Sequence, residues 1–126
     1  MDLYKLITVG LGGFLGSIAR YATIKIIDEK LNSLFPYGTL WVNILGSFIL
    51  GVIYAFAIRK VEFTEHWRIF LGAGFCGGFT TFSAFALESV NLFEQKNSGI
   101  AIAYIGLSLV LAFTSIVFGC WVGRSI

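Results

Sequence analysis

The sequence contains few charged residues. Asp, Glu, Lys and Arg make up 13% of its 126 residues, whereas a soluble domain usually has about 25%. Its formal net charge of +2 is too small to indicate a polyanionic partner. These values exclude a disordered chain, a nucleic-acid-binding protein with a basic patch, and an ordinary soluble enzyme.

Cysteine, proline and histidine are also scarce, with two, one and one residues respectively. Cys76 and Cys120 lie in separate apolar runs and form neither a CxxC pair nor a disulfide framework, so we interpret them as small packing residues. His66 stands beside Trp67 and Arg68, away from any cluster of Cys or carboxylates, as is typical of a membrane edge. The sequence therefore predicts no enzyme activity.

Hydrophobic residues are abundant instead, at 57% of the chain. Uncharged stretches cover residues 6–19 (extending to 24 if Arg20 is included), 31–58, 69–87 and 97–123. A helix needs about 20 apolar residues to cross a bilayer core of about 30 Å, and continuous runs do not fit the alternating strands of a barrel. The sequence therefore predicts an all-α membrane protein, a single domain over residues 1–126 with spans near 4–25, 36–58, 67–93 and 98–124.

The cations are distributed almost evenly between the two sides of this four-span layout. The side with both chain ends carries five of them: Lys5, Arg59, Lys60, Arg68 and Arg124. The other side carries three, or four if Arg20 points outward: Lys25, Lys30 and Lys96. Orientation normally follows an excess of Lys and Arg on the cytoplasmic side. The small excess favours insertion in both orientations and antiparallel pairing of two copies, with one weakly biased orientation as the alternative.

Pairs of glycines spaced four residues apart occur in three spans. They are Gly12 and Gly16, Gly74 and Gly78, and Gly119 and Gly123. Small residues at this spacing let helix backbones approach closely in lipid. We therefore expect them to support oligomerisation.

Several polar residues fall inside the spans, where they are costly and often functional. Asn43 in span two can donate two hydrogen bonds, either along an ion pathway or to another helix. Span four carries a stripe that is either a polar track or a set of hydroxyls bonded to their own helix: Tyr104, Ser108 and Ser115, with Thr114 beside it. Arg20, near the end of span one, either reaches the headgroups or lines a vestibule that concentrates anions.

Span three contains residues that disfavour a continuous helix, namely Gly77 and Gly78 followed by Thr80 and Thr81. A break here would free backbone carbonyls, which are tolerated at membrane depth only where protein or ions satisfy them. Carbonyls repeated by a symmetry-related copy would suit a small hard cation. We therefore predict that the third helix is broken near its middle.

Two aromatic residues follow the predicted break. Phe82 and Phe85 lie at i and i+3 and share a helix face. Most Phe side chains are core or lipid-facing, but the ring edge carries a partial positive charge. Two rings presented edge-on would contact an anion without a fixed cation that traps it.

The combination resembles the Fluc fluoride-channel family, also called CrcB. The matching motifs are Gly12-Gly13-x-x-Gly16-x-x-x-Arg20-Tyr21, Gly38-Thr39-Leu40-x-Val42-Asn43-x-x-Gly46 and Gly74-Phe75-x-Gly77-Gly78-Phe79-Thr80-Thr81-Phe82-Ser83-x-Phe85. They occur in the family order, and the four-span layout covers essentially the whole chain. Ala84 stands where many members have Thr, so no hydroxyl role is carried over to that position.

The resemblance implies a dual-topology homodimer with two antiparallel pores, which lets cytoplasmic fluoride leave a prokaryotic cell passively through the plasma membrane. In that family the residues matching Phe82 and Phe85 give the aromatic contacts to fluoride, and the one matching Asn43 a hydrogen bond. The backbone carbonyls of Gly77 and Thr80, from both subunits, would hold a central structural sodium ion that is not transported. The polar track would comprise Thr81, Tyr104, Ser108, Thr114 and Ser115.

Two other functions compete with this interpretation. A small multidrug-type exporter, which exchanges protons for cations, needs a carboxylate in span one, yet no acidic residue lies between Asp2 and Asp28. Glu88 is the one other acid near the membrane, and we interpret it as an interfacial or interhelical partner. A structural subunit of a larger complex would explain the glycine pairs but not the segment from residue 77 to residue 85.

Overall fold

A computed structural model describes residues 1–60 and 65–126, which are helical almost throughout. Four spans are long and apolar enough to cross a membrane: Leu3–Leu31 (α1), Tyr37–Arg59 (α2), the broken third span Glu65–Glu94, and the last helix, Ser98–Ser125. The prediction of an all-helical chain with four apolar spans is confirmed. Helix α1 continues beyond the expected residue 25 and ends at Leu31. Asn32 follows as a left-handed cap, with a φ of 44° and an N–H bond to the Asp28 carbonyl.

The third span is broken near its middle, as predicted. Its first part, α3 (residues 65–79), consists of Glu65–Arg68, a π-helical segment Ile69–Cys76, and Gly77–Phe79. Thr80 and Thr81, hereafter the break, have extended ψ angles of 158° and 119°, and α4 (Phe82–Glu94) follows. The last helix is α5.

The break falls on the threonines, and Gly77 remains helical with φ −62° and ψ −37°. Threonine is branched at Cβ and tolerates extended backbone well. The Thr81 hydroxyl also accepts a hydrogen bond from the Ala84 N–H at 3.1 Å, so it caps α4. The side-chain chemistry of threonine therefore fixes where the helix stops and restarts.

Helices α1 and α3 pack through glycine. A Cβ atom at Gly12 would collide with the Phe70 carbonyl oxygen, and one at Gly16 with the Phe75 carbonyl oxygen. The two glycines are four residues apart, whereas the two carbonyls are five apart. The π-helical winding of Ile69–Cys76 accounts for the difference, because it uses more residues in each turn than an α-helix does.

Helices α2 and α5 pack in the same way. A Cβ at Gly119 would collide with the Phe48 carbonyl oxygen, and one at Gly123 would lie 2.6 Å from the Val52 carbonyl oxygen. In α3, a Cβ at Gly78 would lie 2.6 Å from the Gly13 carbonyl oxygen. All three glycine pairs therefore make close contacts within one chain, and a role for them in oligomerisation stays a prediction.

The apolar core is small and lies at one end of the bundle. Its buried members join α2, α4 and α5: Leu40, Phe85, Leu92, Ala101 and Tyr104. Only 11% to 33% of the most apolar part of each span is buried inside the chain. The remaining apolar surface is left for lipid or for another protein chain, which identifies a multi-pass membrane protein.

The glycine contacts predict a specific loss of stability. We expect Gly16→Ala to lower the free energy of unfolding by about 1–3 kcal/mol, because backbone atoms of α3 cannot yield to an added methyl group. Gly10→Ala in the same helix is the matched control, since a Cβ there meets nothing within 4 Å and Ala favours helix. Thermal unfolding in detergent measures both, and equal unfolding temperatures would contradict the close contact.

Candidate functional site

The side chain of Asn43 in α2 binds the backbone of the break. Its Nδ2 donates to the Thr81 carbonyl at 3.1 Å, and its Oδ1 accepts from the Thr81 N–H at 2.8 Å. A helix that stops at membrane depth exposes backbone groups that need protein partners, and Asn43 satisfies two of them. Its amide has a second N–H, and the same side chain also lines a groove.

This groove, the central groove, lies between α2, the break, the start of α4 and α5. It has a volume of about 390 Å³. It brings together five of the predicted pathway residues: Asn43, Thr81, Phe82, Phe85 and Ser108. Ser47, one helical turn after Asn43, also lines it. No charged side chain is among the lining residues that the structure describes, so the groove offers uncharged polar groups, aromatic rings and aliphatic side chains such as Leu50 and Leu109.

The two phenylalanines differ in exposure. Their ring centroids are 5.6 Å apart with planes at 56°, but Phe82 is 76% exposed and Phe85 only 8%. The Phe85 ring is fixed by an edge contact with Tyr104, at 5.2 Å between centroids. Phe82 therefore presents its ring outward at mid-span, where a second chain or lipid would meet it.

The start of α4 adds partial positive charge beside the central groove. The first N–H groups of a helix carry partial positive charge, and α4 begins at Phe82, beside the central groove. The Thr81 hydroxyl caps one of these N–H groups and lies 3.3 Å from the Ser83 hydroxyl. This end of α4 therefore favours an anion over a cation.

The hydroxyl stripe of α5 divides into two groups. Ser108 is 6% exposed, and its Oγ has no hydrogen-bond partner within the part of the chain that the structure describes. A buried hydroxyl without a partner is costly, so Ser108 is available to a ligand in the central groove. Thr114 is exposed and donates to its own helix at the Val110 carbonyl, at 2.7 Å. Neither Thr114 nor Ser115 is among the residues lining the groove.

Tyr104 lies behind the central groove. It is fully buried, and its hydroxyl donates to Glu88 Oε1 at 2.9 Å, while the Thr39 hydroxyl donates to Glu88 Oε2 at 2.9 Å. Glu88 is thus an interhelical partner, one of the two roles expected for it. Sequence reasoning missed its connection to Tyr104, although a lone acid inside a span signals that partners are needed.

Arg20 lies in a different groove, the outer groove, between α1 and α4. This open groove of about 720 Å³ also contains Lys25, Asp28, Glu29 and Ser83. Thr81 lines both grooves, so the two meet at the break. Arg20 is half-buried and contributes positive charge to a rim of mixed sign, which fits a vestibule better than a binding site.

The carbonyls of Gly77 and Thr80 have both lost the partners that a continuous helix would supply. The Thr81 N–H, the α-helical partner of Gly77, donates to Asn43 instead. The Ala84 N–H, the partner of Thr80, donates to the Thr81 hydroxyl. Backbone oxygens are suitable ligands for a hard cation, and the described residues contain no group of three or more His, Cys, Asp or Glu that would bind one with side chains.

The fold and the two grooves define a class of protein: a small multi-pass membrane protein with an uncharged groove beside a broken helix. The family model described as CrcB-like protein, Camphor Resistance (CrcB), matches residues 7–120. The chain belongs to this family.

Curated relatives match the chain over nearly its whole length. A protein of a Chelativorans species is 38% identical, with 98% of this chain and 99% of the relative covered. One of a Caulobacter species is 41% identical, with 97% and 96% covered, and one of Ruminiclostridium cellulolyticum is 35% identical, with 99% and 96% covered. Each relative is named "Fluoride-specific ion channel FluC".

The Tyr104 contacts predict a loss of stability that depends on the hydroxyl alone. We expect Tyr104→Phe to lower the free energy of unfolding by about 1–3 kcal/mol, because a half-buried Glu88 oxygen loses its donor while the ring contact with Phe85 remains. Tyr54→Phe is the control, since Tyr54 is 61% exposed. Thermal unfolding of both variants in detergent is the measurement, and an equal effect would show that the hydrogen bond contributes nothing.

Proposed function

We propose that this protein is a fluoride-selective channel through which fluoride leaves the cytoplasm passively, so that its toxicity falls. The observation that carries the proposal is the central groove, which assembles Asn43, Phe82, Phe85 and Ser108 beside a broken helix. The names of the curated relatives support the choice of fluoride. The large apolar surface supports a place in the cell membrane.

The groups in the groove suit a small, strongly hydrated anion. Conduction requires binding that is favourable enough for entry and weak enough for release. Several groups would each replace part of the hydration shell without a full charge: the ring edges of Phe82 and Phe85, an N–H of Asn43 and the start of α4. The Ser108 hydroxyl, which has no partner among the described residues, would act in the same way. A narrow passage between them would exclude the larger chloride ion.

We propose that two copies associate antiparallel and form two pores. Phe82 supports this, because its ring is 76% exposed at mid-span and would complete a pore with groups of the other copy. The close glycine contacts are already used within the chain, so other surfaces remain for association. The nearly even distribution of cations suits insertion in both orientations.

We further propose that a structural sodium ion, which is not transported, binds where the two breaks meet. The Gly77 and Thr80 carbonyls of both copies would hold it, since each has lost its helical partner. When bound, the ion supplies a fixed positive charge at the centre of the dimer and ties the two breaks together.

The test is ion efflux from liposomes that contain the purified protein. We expect fluoride to leave, as a fluoride electrode detects, and chloride to stay. Phe82→Ile should lower fluoride efflux about tenfold, equivalent to about 1.4 kcal/mol in the barrier, because an aliphatic side chain has no positive ring edge. Phe14→Ile is the control, since Phe14 is 64% exposed on α1.

Two results would overturn the channel proposal. Chloride efflux equal to fluoride efflux would show that the protein is not selective for fluoride. Unchanged efflux from a Phe82→Ile dimer would show that the aromatic ring does not contribute to fluoride passage. Transport of organic cations driven by a proton gradient would instead support the small multidrug-type exporter. Both oxygens of Glu88 already accept hydroxyl donors, which disfavours that exporter.

Insertion in both orientations gives a second expected result. A protease-cleavable tag at the carboxyl end should be cut in about half of the copies when protease is present on one side of cell membrane vesicles, because the charge bias is small. Extra Lys residues after Ile126 should shift the cut fraction. Cleavage of all or none of the unmodified copies would show a single orientation.

A further inference from the structure

Asn43 is an α2 side chain that holds the break by two hydrogen bonds, both to Thr81. The acceptor bond, from the Thr81 N–H to Asn43 Oδ1, is the shorter at 2.8 Å. This hydrogen bond also affects two backbone carbonyls, those of Thr80 and Gly77.

The first consequence concerns the direction of the Thr80 carbonyl. This carbonyl and the Thr81 N–H belong to the same peptide unit, which is planar and trans; no cis peptide bond is present among the described residues. In a trans unit the N–H and the C=O point in opposite directions. Because Asn43 Oδ1 holds the N–H toward α2, it directs the Thr80 carbonyl away from α2.

The second consequence concerns the Gly77 carbonyl. In a continuous α-helix the N–H of residue i+4 would bond to it, and that N–H belongs to Thr81. The alternative donor one residue earlier, the Thr80 N–H, is bonded to the Cys76 carbonyl at 3.0 Å. As long as Asn43 Oδ1 holds the Thr81 N–H, the Gly77 carbonyl remains available to a ligand.

We propose that Asn43 is a positioning residue for the cation site: its Oδ1 orients the Thr80 carbonyl and keeps the Gly77 carbonyl unpaired. This inference rests on the proposed sodium site. The Thr81 hydroxyl assists by holding the Ala84 N–H, but this bond affects Thr80 alone. Since Asn43 also lines the central groove, a single side chain connects the anion path with the site of the structural cation.

The experiment measures sodium binding rather than transport. The unfolding temperature of the purified full-length protein in detergent is followed as NaCl replaces N-methylglucamine chloride, because a ligand that binds only the folded state raises it. Asn43→Leu keeps the approximate size and loses the acceptor. Asn43→Asp keeps an oxygen at the Oδ1 position. Ser47→Ala, one turn further along α2, removes a hydroxyl with no bond to the break among the described residues.

We expect Asn43→Leu to need about tenfold more sodium for the same stabilisation, which corresponds to about 1.4 kcal/mol of binding free energy. Ser47→Ala should respond to sodium as the unmodified protein does, and Asn43→Asp should keep a sodium response, because its carboxylate still accepts the Thr81 N–H. If Asn43→Leu does not fold, Asn43→Ser replaces it, because its side chain is too short to reach Thr81 and should also lose the response.

A purely structural role for Asn43 would lower the unfolding temperature without sodium and leave the sodium response unchanged, and that result would overturn the inference. Loss of the response in Asn43→Asp would overturn it as well. An unmodified protein that does not respond to sodium would remove the cation site itself. Fluoride efflux from liposomes containing the unmodified protein tests the channel separately, so the two failures are distinguishable.

Discussion

A peptide backbone that leaves its helix inside a bilayer must find hydrogen-bond partners in the protein, since water is absent there. The rest of the site depends on how this requirement is met at the break. Asn43 takes the Thr81 N–H and carbonyl, and the Thr81 hydroxyl takes the Ala84 N–H. What remains is two carbonyls, those of Gly77 and Thr80, without their helical donors on one side, and a helix start on the other. The partial negative charge of these carbonyls and the partial positive charge at the start of α4 thus lie within a few residues of each other.

The glycine contacts keep this arrangement rigid. Each of the two helix pairs, α1 with α3 and α2 with α5, is packed backbone against backbone, so neither can move without losing many van der Waals contacts. The π-helical segment keeps the carbonyls of α3 in register with the glycines of α1. As a result the break is held at a fixed depth in the helix bundle. Helix α4 packs against α5 and forms part of the central groove.

The sequence predicted the four spans and the break because long apolar runs and adjacent Gly and Thr pairs are local signals. It could not predict which helix each glycine pair contacts, since a small-residue face fits any partner. It also could not separate Ser108, which is buried and has no partner among the residues that the structure describes, from Thr114, which bonds to its own helix. Helical spacing places both residues near one stripe of the helix, whereas their burial and hydrogen bonding depend on which parts of the other helices face them. It could not predict the hydrogen bond between Tyr104 and Glu88 either, because the two residues are distant in sequence.

The pairing of α1 with α3 and of α2 with α5 also constrains how the chain is made. When α1 and α2 first leave the ribosome, neither can contact its tight partner, because α3 and α5 are synthesised later. The backbone strip of α2 around Phe48 and Val52 stays uncovered until the helix with Gly119 and Gly123 enters the membrane. The tight packing of α2 is therefore reached only after α5 has been synthesised, so the order of the helices along the chain sets the order in which the two tight pairs form.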